Sequence, residues 1–291
     1  MKRWVGGALA ALVVVGVLGG AALAAGRLGG DRVAVVRIDG VITEGVAPSF
    51  WSQGSGAARS LAELGAIRGR RNVRAVVIRL NSPGGSAAAS QEIAREVEEV
   101  RASGRKVVAS MGDMSASGAY WVACSADRIV ADPATVTGSI GVITRVPQLT
   151  SLYRRMGIEE EVFKSGKYKD MGSPGRALTG DERSIFVAMV EDVYGQFVNH
   201  VAGSRHLSAG RVRELADGRV YTGRQAVGAG LVDALGNLDD AVRLAGSLAG
   251  VKGEPRVVEV RLGGWWPLAA ALVARPGEAP WREPGGVVMG A

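Results

Sequence analysis

The chain has 291 residues, of which 47% are hydrophobic, 22% are charged and 43 are glycine. This composition predicts a packed α/β protein with a sizeable core and excludes a disordered chain. The formal net charge of +7 is modest and no basic run is interleaved with aromatic residues, so nucleic acid is not expected as a partner. A single cysteine, Cys124, excludes an internal disulfide framework and a cysteine-based metal cluster. We therefore expect no metal and no cofactor, and a buried Cys124, because it lies in an apolar run.

Residues 1–26 are predicted to form an N-terminal membrane anchor. Lys2 and Arg3 carry positive charge, and residues 4–25 carry none. As a helix, this uncharged run would reach roughly 33 Å, enough to cross a bilayer core of about 30 Å. The cations favour a cytoplasmic start, which makes the chain a single-pass protein of the cell membrane with its body on the extracytoplasmic side. The alternative is a cleaved signal peptide, because residues 22–24 (ALA) match a cleavage pattern; the body then also lies outside the cytoplasm.

Residues 33–250 are predicted to form one α/β domain. Apolar or β-branched runs indicate strands at 33–38, 73–80, 106–111 and 128–131, and helices are indicated at 57–69, at 87–101 and from 118 onward. Strands separated by helices of this length favour right-handed βαβ crossovers and a largely parallel sheet.

Beyond residue 147 the pattern becomes mainly helical. A long helix is indicated at 181–202, followed by shorter ones at 208–216, 223–228 and 238–248. Residues 251–291 read as a tail that is partly flexible, because the apolar run after Trp265 and Trp266 is too short to span a membrane and a proline-rich stretch follows it.

A glycine turn at residues 81–85 (NSPGG) lies between a predicted strand and a predicted helix. Two glycines let the backbone approach a ligand closely and present N–H groups without an obstructing side chain. The turn could therefore bind a phosphate or an oxyanion, or it could be a plain strand-to-helix connection.

A serine motif at residues 115–121 (SASGAYW) also follows a strand and opens a helix. Ser117 could be a nucleophile at the start of this helix, with the N–H groups of Gly118 and Gly85 forming an oxyanion hole. On this motif alone, a helix N-cap at Ser115 or Ser117 is the favoured interpretation, because capping serines are common.

A lysine is the best candidate for the base that such a serine would need. The chain has two histidines, His200 and His206, and neither lies near the serine motif. Lys169 lies in the motif GKYKD at residues 166–170, about fifty residues after Ser117. A solvated lysine has a pKa of about 10.4, so burial would have to favour the neutral amine, and Tyr168 and Met171 could supply an apolar shell. Asp170 would oppose this unless its side chain points elsewhere; the other interpretation is a surface lysine.

Four motifs together carry a family resemblance. Residues 81–85 (NSPGG), 116–121 (ASGAYW), 137–142 (TGSIGV) and 165–174 (SGKYKDMGSP) closely resemble the short bacterial form of signal peptide peptidase A. The likeness covers residues 33–249 in order and spacing, and the predicted anchor is consistent with it. It implies a membrane-anchored Ser–Lys protease with a Clp protease/crotonase-like fold, in which βαβ units and a helical C-terminal part follow one transmembrane helix.

The resemblance also implies a role for each site residue. Ser117 would be the nucleophile and Lys169 the general base, Gly85 and Gly118 would supply the oxyanion-hole amides, and Ser139 would hydrogen-bond and orient the lysine. Ala119 departs from the glycine of many relatives, and Ser115 does not match the nucleophile position. A single domain of this type in each chain implies a homo-oligomeric ring or dome, with Ser117 and Lys169 brought together between neighbouring chains.

The resulting hypothesis is a serine endopeptidase that degrades cleaved signal peptides and similar hydrophobic peptides at the membrane. Two alternatives remain open. One is a non-catalytic membrane scaffold of the same fold that binds peptides. The other is a crotonase-like acyl-CoA enzyme, which would share the oxyanion hole and would need neither Ser117 nor Lys169.

Overall fold

The computed structural model describes residues 31–44 and 56–260. Their centre is a sheet of eight strands: β1 (Arg32–Asp39), β2 (Val73–Ser82), β3 (Lys106–Ala116), β4 (Arg128–Ala131), β5 (Val136–Gly138), β6 (Val220–Thr222), β7 (Ala234–Leu235) and β8 (Arg256–Glu259). The strand order is β6-β5-β3-β2-β1-β8, with β4 between β3 and β7 on a branch of the sheet. All pairs are parallel except β5 with β6.

Eight helices connect these strands in the described part of the chain. They are α1 (Ala57–Arg68), α2 (Ala87–Ala102), α3 (Gly118–Cys124), α4 (Thr150–Met156), α5 (Gly180–Arg205), α6 (Ala209–Leu215), α7 (Gly223–Gly228) and α8 (Leu238–Leu248). The predicted α/β class and the largely parallel sheet are confirmed. Strands β5 to β8 and helix α4 were not predicted, because segments of two to seven residues are too short to show a clear period.

The core lies on both faces of the central strands. Along β1, Val33 and Val35 pack with α8 on one face, whereas Val36 and Ile38 belong to a larger cluster on the other face. The larger cluster includes buried side chains of α1, α2, α3 and α5. A parallel sheet covered on both faces explains why its strands read as continuous apolar runs rather than as alternating ones.

Strand β3 is longer than the predicted run at 106–111. It continues to Ala116 because its end pairs with β5, in the register Met114 with Val136 and Ala116 with Gly138. The Thr137 hydroxyl donates a hydrogen bond of 2.7 Å to the Ser115 carbonyl, which adds a side-chain bond between the two strands. Residue 117 is consequently the single connecting residue between β3 and α3.

Residues 141–196, here called the arm, differ from the rest of the domain in their exposure. Glu182 is the one buried residue of this segment, although it contains α4 and more than half of α5. Its exposed large apolar side chains include that of Phe163, which is 87% exposed. The others are Ile143, Leu152, Met156, Ile158, Val162, Tyr168, Ile185, Val187 and Met189. The arm therefore leaves much apolar surface uncovered by residues 31–44 and 56–260.

The folded unit extends past the predicted boundary at residue 250. Strand β8 pairs with β1 from Arg256 with Arg32 to Glu259 with Val35, so residues up to 260 belong to the sheet. A four-residue edge strand has too little pattern to be recognised in a sequence.

The predicted anchor at residues 1–26 lies outside the described residues, as does the tail beyond residue 260. Within residues 31–44 and 56–260, no helix combines the length and apolarity needed to cross a membrane.

Candidate active site

Ser117 occupies a strained turn between strand β3 and helix α3. Its backbone angles are φ 53° and ψ −121°, a region that non-glycine residues rarely adopt. Its side chain makes no capping hydrogen bond, so the structure does not support the N-cap interpretation. Its N–H donates to the Gly138 carbonyl at 2.8 Å, which ties the turn to the end of β5. A strained strand-to-helix turn of this kind is how α/β-hydrolases expose a serine nucleophile.

The glycine turn at 81–85 packs directly against this serine. A Cβ on Gly84 would lie 2.6 Å from the Gly118 nitrogen and 2.9 Å from the Ser117 Cβ. A Cβ on Gly85 would lie 2.0 Å from the carbonyl oxygen of Ile42. Gly84 therefore lets the glycine turn approach the serine, and Gly85 lets it approach the backbone of Ile42.

Two backbone amides without a hydrogen-bond partner in the described ranges lie close together beside Ser117. A Cβ on Gly118 would lie 3.4 Å from the Gly85 nitrogen, so the two residues are close neighbours. Neither the Gly85 N–H nor the Gly118 N–H donates a hydrogen bond to any residue in the described ranges. Neighbouring unpaired amides beside a serine are what an oxyanion hole would require.

Ser139 lies next to Ser117 in the same chain. It follows Gly138, the residue that accepts the Ser117 N–H, and its own N–H donates to the Arg219 carbonyl at 2.8 Å. It too has a left-handed backbone, with φ 49°. The side chain is partly exposed, so it remains accessible to a group that approaches the serine.

Lys169 lies in the arm and is exposed. Its ammonium group makes no hydrogen bond or ion pair with the described residues, and its N–H closes a turn on the Gly166 carbonyl at 3.2 Å. Tyr168 does not form the predicted apolar shell with the described residues, because it is 41% exposed and its ring contacts the Lys167 ammonium, 5.0 Å from the ring centre. The structure therefore groups Ser117, Gly118, Gly85 and Ser139, and no hydrogen bond joins Lys169 to them.

The Asp170 carboxylate binds two other cations and makes no ion pair with Lys169. Its two carboxylate oxygens accept hydrogen bonds from Arg176 Nε at 2.8 Å and from Lys164 Nζ at 2.6 Å. Hydrogen bonds, the stronger effect from Arg176 and the weaker from Lys164, hold the pKa of the Asp170 carboxyl well below its usual range.

The remaining reactive side chains lie in other environments. Cys124 is buried as predicted, and burial raises the pKa of its thiol to about 12, which leaves it without nucleophilic character. His200 stacks on Trp121 and contacts the Trp121 carbonyl through Nε2 at 3.0 Å, and burial lowers the pKa of its imidazole. His206 ends helix α5. Ser115 is fully buried, and its hydroxyl has no hydrogen-bond partner in the described part of the chain.

Three contributors to this site were not predicted. The Gly138 carbonyl accepts the Ser117 N–H, and Gly84 packs against the Ser117 Cβ. Ser90 fills the space beside Gly118, because a Cβ added to Gly118 would lie 2.2 Å from the Ser90 hydroxyl oxygen. The glycines themselves were the available signal, since both lie within motifs already recognised. Nothing in the sequence pattern distinguishes Ser90 from other small residues of its helix.

Comparison with known proteins places this geometry in a family. The sequence model of peptidase family S49 matches residues 99–252, which include Ser117, Gly118, Ser139 and Lys169. A putative protease of Synechocystis sp. is 45% identical over 186 residues, which is 64% of this chain and 66% of the relative. A chloroplastic serine protease SPPA of Arabidopsis thaliana is 36% identical over 236 residues, covering 80% of this chain and 35% of the relative.

A putative signal peptide peptidase SppA of Enterococcus faecium is 34% identical over 212 residues, covering 72% of this chain and 62% of the relative. The chain thus spans about two thirds or less of the length of these relatives. The predicted resemblance to the signal peptide peptidase A family is confirmed, and because the match covers more than half of its residues, the chain belongs to peptidase family S49.

Proposed function

We propose that this protein is a serine endopeptidase with a Ser117–Lys169 dyad. The observation that carries the proposal is the strained Ser117 turn facing two unpaired amides, those of Gly85 and Gly118. Membership of a peptidase family supports the reaction type. The Clp protease/crotonase-like fold remains part of this proposal; the α/β sheet agrees with it.

In the proposed reaction, the neutral amine of Lys169 removes the proton of the Ser117 hydroxyl as its oxygen attacks the peptide carbonyl. The oxyanion that develops accepts hydrogen bonds from the Gly85 and Gly118 amides, a contribution often worth about 3–4 kcal/mol per donor. The Lys169 ammonium then gives its proton to the leaving amine as the peptide bond breaks. The same amine then takes a proton from water, and the resulting hydroxide attacks the acyl-enzyme. As the ester bond breaks, the Lys169 ammonium returns this proton to the Ser117 oxygen.

The dyad is proposed to form between neighbouring chains of a homo-oligomeric ring or dome. Two observations support this arrangement. Lys169 is exposed and lacks a partner among the described residues of its own chain, and the arm that carries it exposes many apolar side chains. Contact with a second copy would cover that surface and supply the apolar surroundings that a neutral lysine needs.

The substrates are proposed to be cleaved signal peptides and similar hydrophobic peptides. The name of the Enterococcus faecium relative supports this substrate class. The predicted anchor at residues 1–26 would place the enzyme at the membrane, with its domain on the extracytoplasmic side, where such peptides are released.

Active-site labelling combined with peptide cleavage tests the proposal. Wild-type protein should react with a fluorophosphonate probe and cleave a hydrophobic peptide. Ser117→Ala should lose both activities, and Lys169→Ala should lose cleavage. Ser115→Ala is the matched control, because its hydroxyl is buried and bonds to nothing described, and it should keep most of the activity.

Cleavage that survives in Ser117→Ala or Lys169→Ala would overturn the dyad. Peptide binding without labelling or cleavage in the wild type would favour the scaffold alternative. Binding of an acyl-CoA thioester that survives Ser117→Ala would favour the crotonase-like alternative.

A further inference from the structure

We propose that Arg176 is a positioning residue for the base, holding the loop of Lys169 in place and neutralising the carboxylate that follows it. This inference rests on the proposed role of Lys169. It concerns a side chain that approaches neither Ser117 nor the oxyanion amides and that works through Asp170.

Arg176 makes five hydrogen bonds, one for each N–H group of a guanidinium. Its Nε donates to the Asp170 carboxylate at 2.8 Å, and a terminal nitrogen donates to the Asp170 carbonyl at 3.3 Å. The terminal nitrogens also donate to both carboxylate oxygens of Glu182 and to the Ala177 carbonyl. Every donor is therefore directed at the loop or at the start of the following helix.

These bonds act on the residue that directly follows Lys169. Arg176 binds both the side chain and the carbonyl of Asp170, so it restrains the backbone immediately after the base. At its other end it binds Glu182, which is 2% exposed and forms a capping box with Thr179 at the start of α5. The guanidinium thus joins the loop that carries Lys169 (residues 165–174, here called the base loop) to the first turn of a 26-residue helix.

The same contacts balance the charge around Lys169. Asp170 is paired with Arg176 and Lys164, and the remaining charge of Arg176 is balanced by Glu182. On the other side of the loop, Lys167 pairs with Asp181. The network contains as many cations as anions, so the loop does not present an uncompensated carboxylate that would favour the ammonium form of the base.

Residues of helix α4 and of this network together line an open cavity of about 330 Å³. The charged groups that α4 and the loop after it contribute to the cavity wall are Arg154, Glu159 and Glu160. Arg154 is exposed and makes no ion pair within the described residues, which makes it a matched control for a second arginine on the same wall.

Substitutions of Arg176 separate its charge from its shape. Arg176→Lys keeps the positive charge and loses the planar guanidinium, because one ammonium cannot bind the Asp170 and Glu182 carboxylates and the Asp170 carbonyl together. Arg176→Gln loses both and leaves Asp170 with Lys164 alone. Asp170→Asn combined with Arg176→Gln removes the carboxylate as well as the guanidinium, so the positioning stays lost while the charge balance is restored.

The experiment measures kcat/KM against pH for peptide cleavage, with circular dichroism and size-exclusion chromatography to verify folding and assembly. The acidic limb of kcat/KM reports loss of the proton from the base in the free enzyme. We expect Arg176→Gln to reduce the plateau at least about tenfold and to move the acidic limb up by about half a pH unit, a shift kept small by solvent screening. Arg176→Lys should reduce the plateau with its limb unmoved, and the double variant should return the limb to the wild-type position. Arg154→Gln should change neither.

The outcomes distinguish the inference from the proposed function. If Lys169→Ala retains cleavage, the proposed function fails, whatever Arg176 does. If Lys169→Ala is inactive while Arg176→Gln keeps the wild-type plateau and limb, the positioning role is overturned. If Arg176→Gln does not fold, Arg176→Lys and Asp170→Asn decide the question, and a wild-type plateau in both overturns the inference.

Discussion

The backbone of Ser117 is held in a strained conformation by contacts on two sides. Such a conformation costs about 1–3 kcal/mol and persists only where the surrounding structure enforces it. Here the Gly138 carbonyl accepts the Ser117 N–H, and Gly84 packs against the Ser117 Cβ from the other side. The next amide, that of Gly118, bonds to no described residue, as the proposed oxyanion hole requires.

Gly84→Ala tests this close approach. Gly84 and Gly104 have similar left-handed backbones, with φ of +92° and +86°, but a Cβ on Gly104 would meet open space. Gly104→Ala should therefore cost only the backbone strain, about 1–2 kcal/mol. Gly84→Ala adds overpacking against Ser117 and Gly118, so its total cost should be about 2–5 kcal/mol, with a large loss of kcat.

Urea unfolding and peptide cleavage, measured on both variants, provide the test. Equal losses of stability in the two variants, with cleavage unaffected in Gly84→Ala, would show that the approach of Gly84 to the serine has no consequence for catalysis.

Among the secondary-structure elements, helix α5 is joined to the base loop by ion pairs of Arg176 with Glu182 and Asp170. Hydrogen bonds from Arg176 and then from the Thr179 N–H lower the pKa of Glu182 to about 2. In an unfolded chain, a glutamate has a pKa of about 4.3. A carboxyl whose pKa is lower in the folded state contributes stability that is complete above the unfolded pKa and is lost as the pH falls towards the folded one.

Glu182→Gln should therefore flatten the acid dependence of stability. In wild-type protein, the contribution of the Arg176–Glu182 pair is present at pH 5 and above and disappears between about pH 4.5 and pH 2. The midpoint of thermal unfolding, measured from pH 6 to pH 2, should fall less steeply in Glu182→Gln over that interval. Glu191→Gln, an exposed position on the same helix, should follow the wild type. A slope equal to the wild-type slope in Glu182→Gln would contradict the assignment.

Elements with a strong local pattern could be predicted from the sequence, and those defined by pairing could not. The long apolar strands and helices α1, α2 and α8 were located to within a few residues. Strand β5 has three residues and no period of its own, so the bond between Ser117 and Gly138 could not be anticipated.

The candidate site shows the same division. Ser117, Gly85 and Gly118 were identifiable because each lies in a contiguous motif that connects a strand to a helix. The surroundings of Lys169 were not, because they depend on Arg176 and Glu182, which contact Asp170 or one another through ion pairs without sequence periodicity. The apolar shell expected from Tyr168 and Met171 was argued from sequence neighbours alone, and the exposure of Tyr168 does not agree with it.

At the scale of the whole molecule, the two halves of the proposed dyad lie in parts with different character. Ser117 is built into the sheet and its covering helices, whereas Lys169 lies in the arm, where Glu182 is the one buried residue. A heterologous contact repeated around a ring would bring the arm of one subunit to the serine of the next.

Mixing two inactive variants tests this arrangement. In a randomly mixed ring, a site is complete when its serine comes from a Lys169→Ala chain and its lysine from a Ser117→Ala neighbour. Each choice has a probability of one half, so an equimolar co-expressed mixture should recover about a quarter of wild-type activity. Each variant alone should be inactive, and Ser117→Ala mixed with the double variant should stay inactive. An inactive mixture that still forms the wild-type assembly would show that the dyad forms within one chain.

The length of helix α5 also determines where the base loop lies relative to the core. It spans 26 residues, about 39 Å, with Phe197 and Val201 fixed in the core and Glu182 near the other end. One inserted residue in its exposed half would swing the base loop by about 100° around the helix axis and move it by about 1.5 Å. Only insertions or deletions close to whole turns would therefore keep the base loop on the same side of this helix.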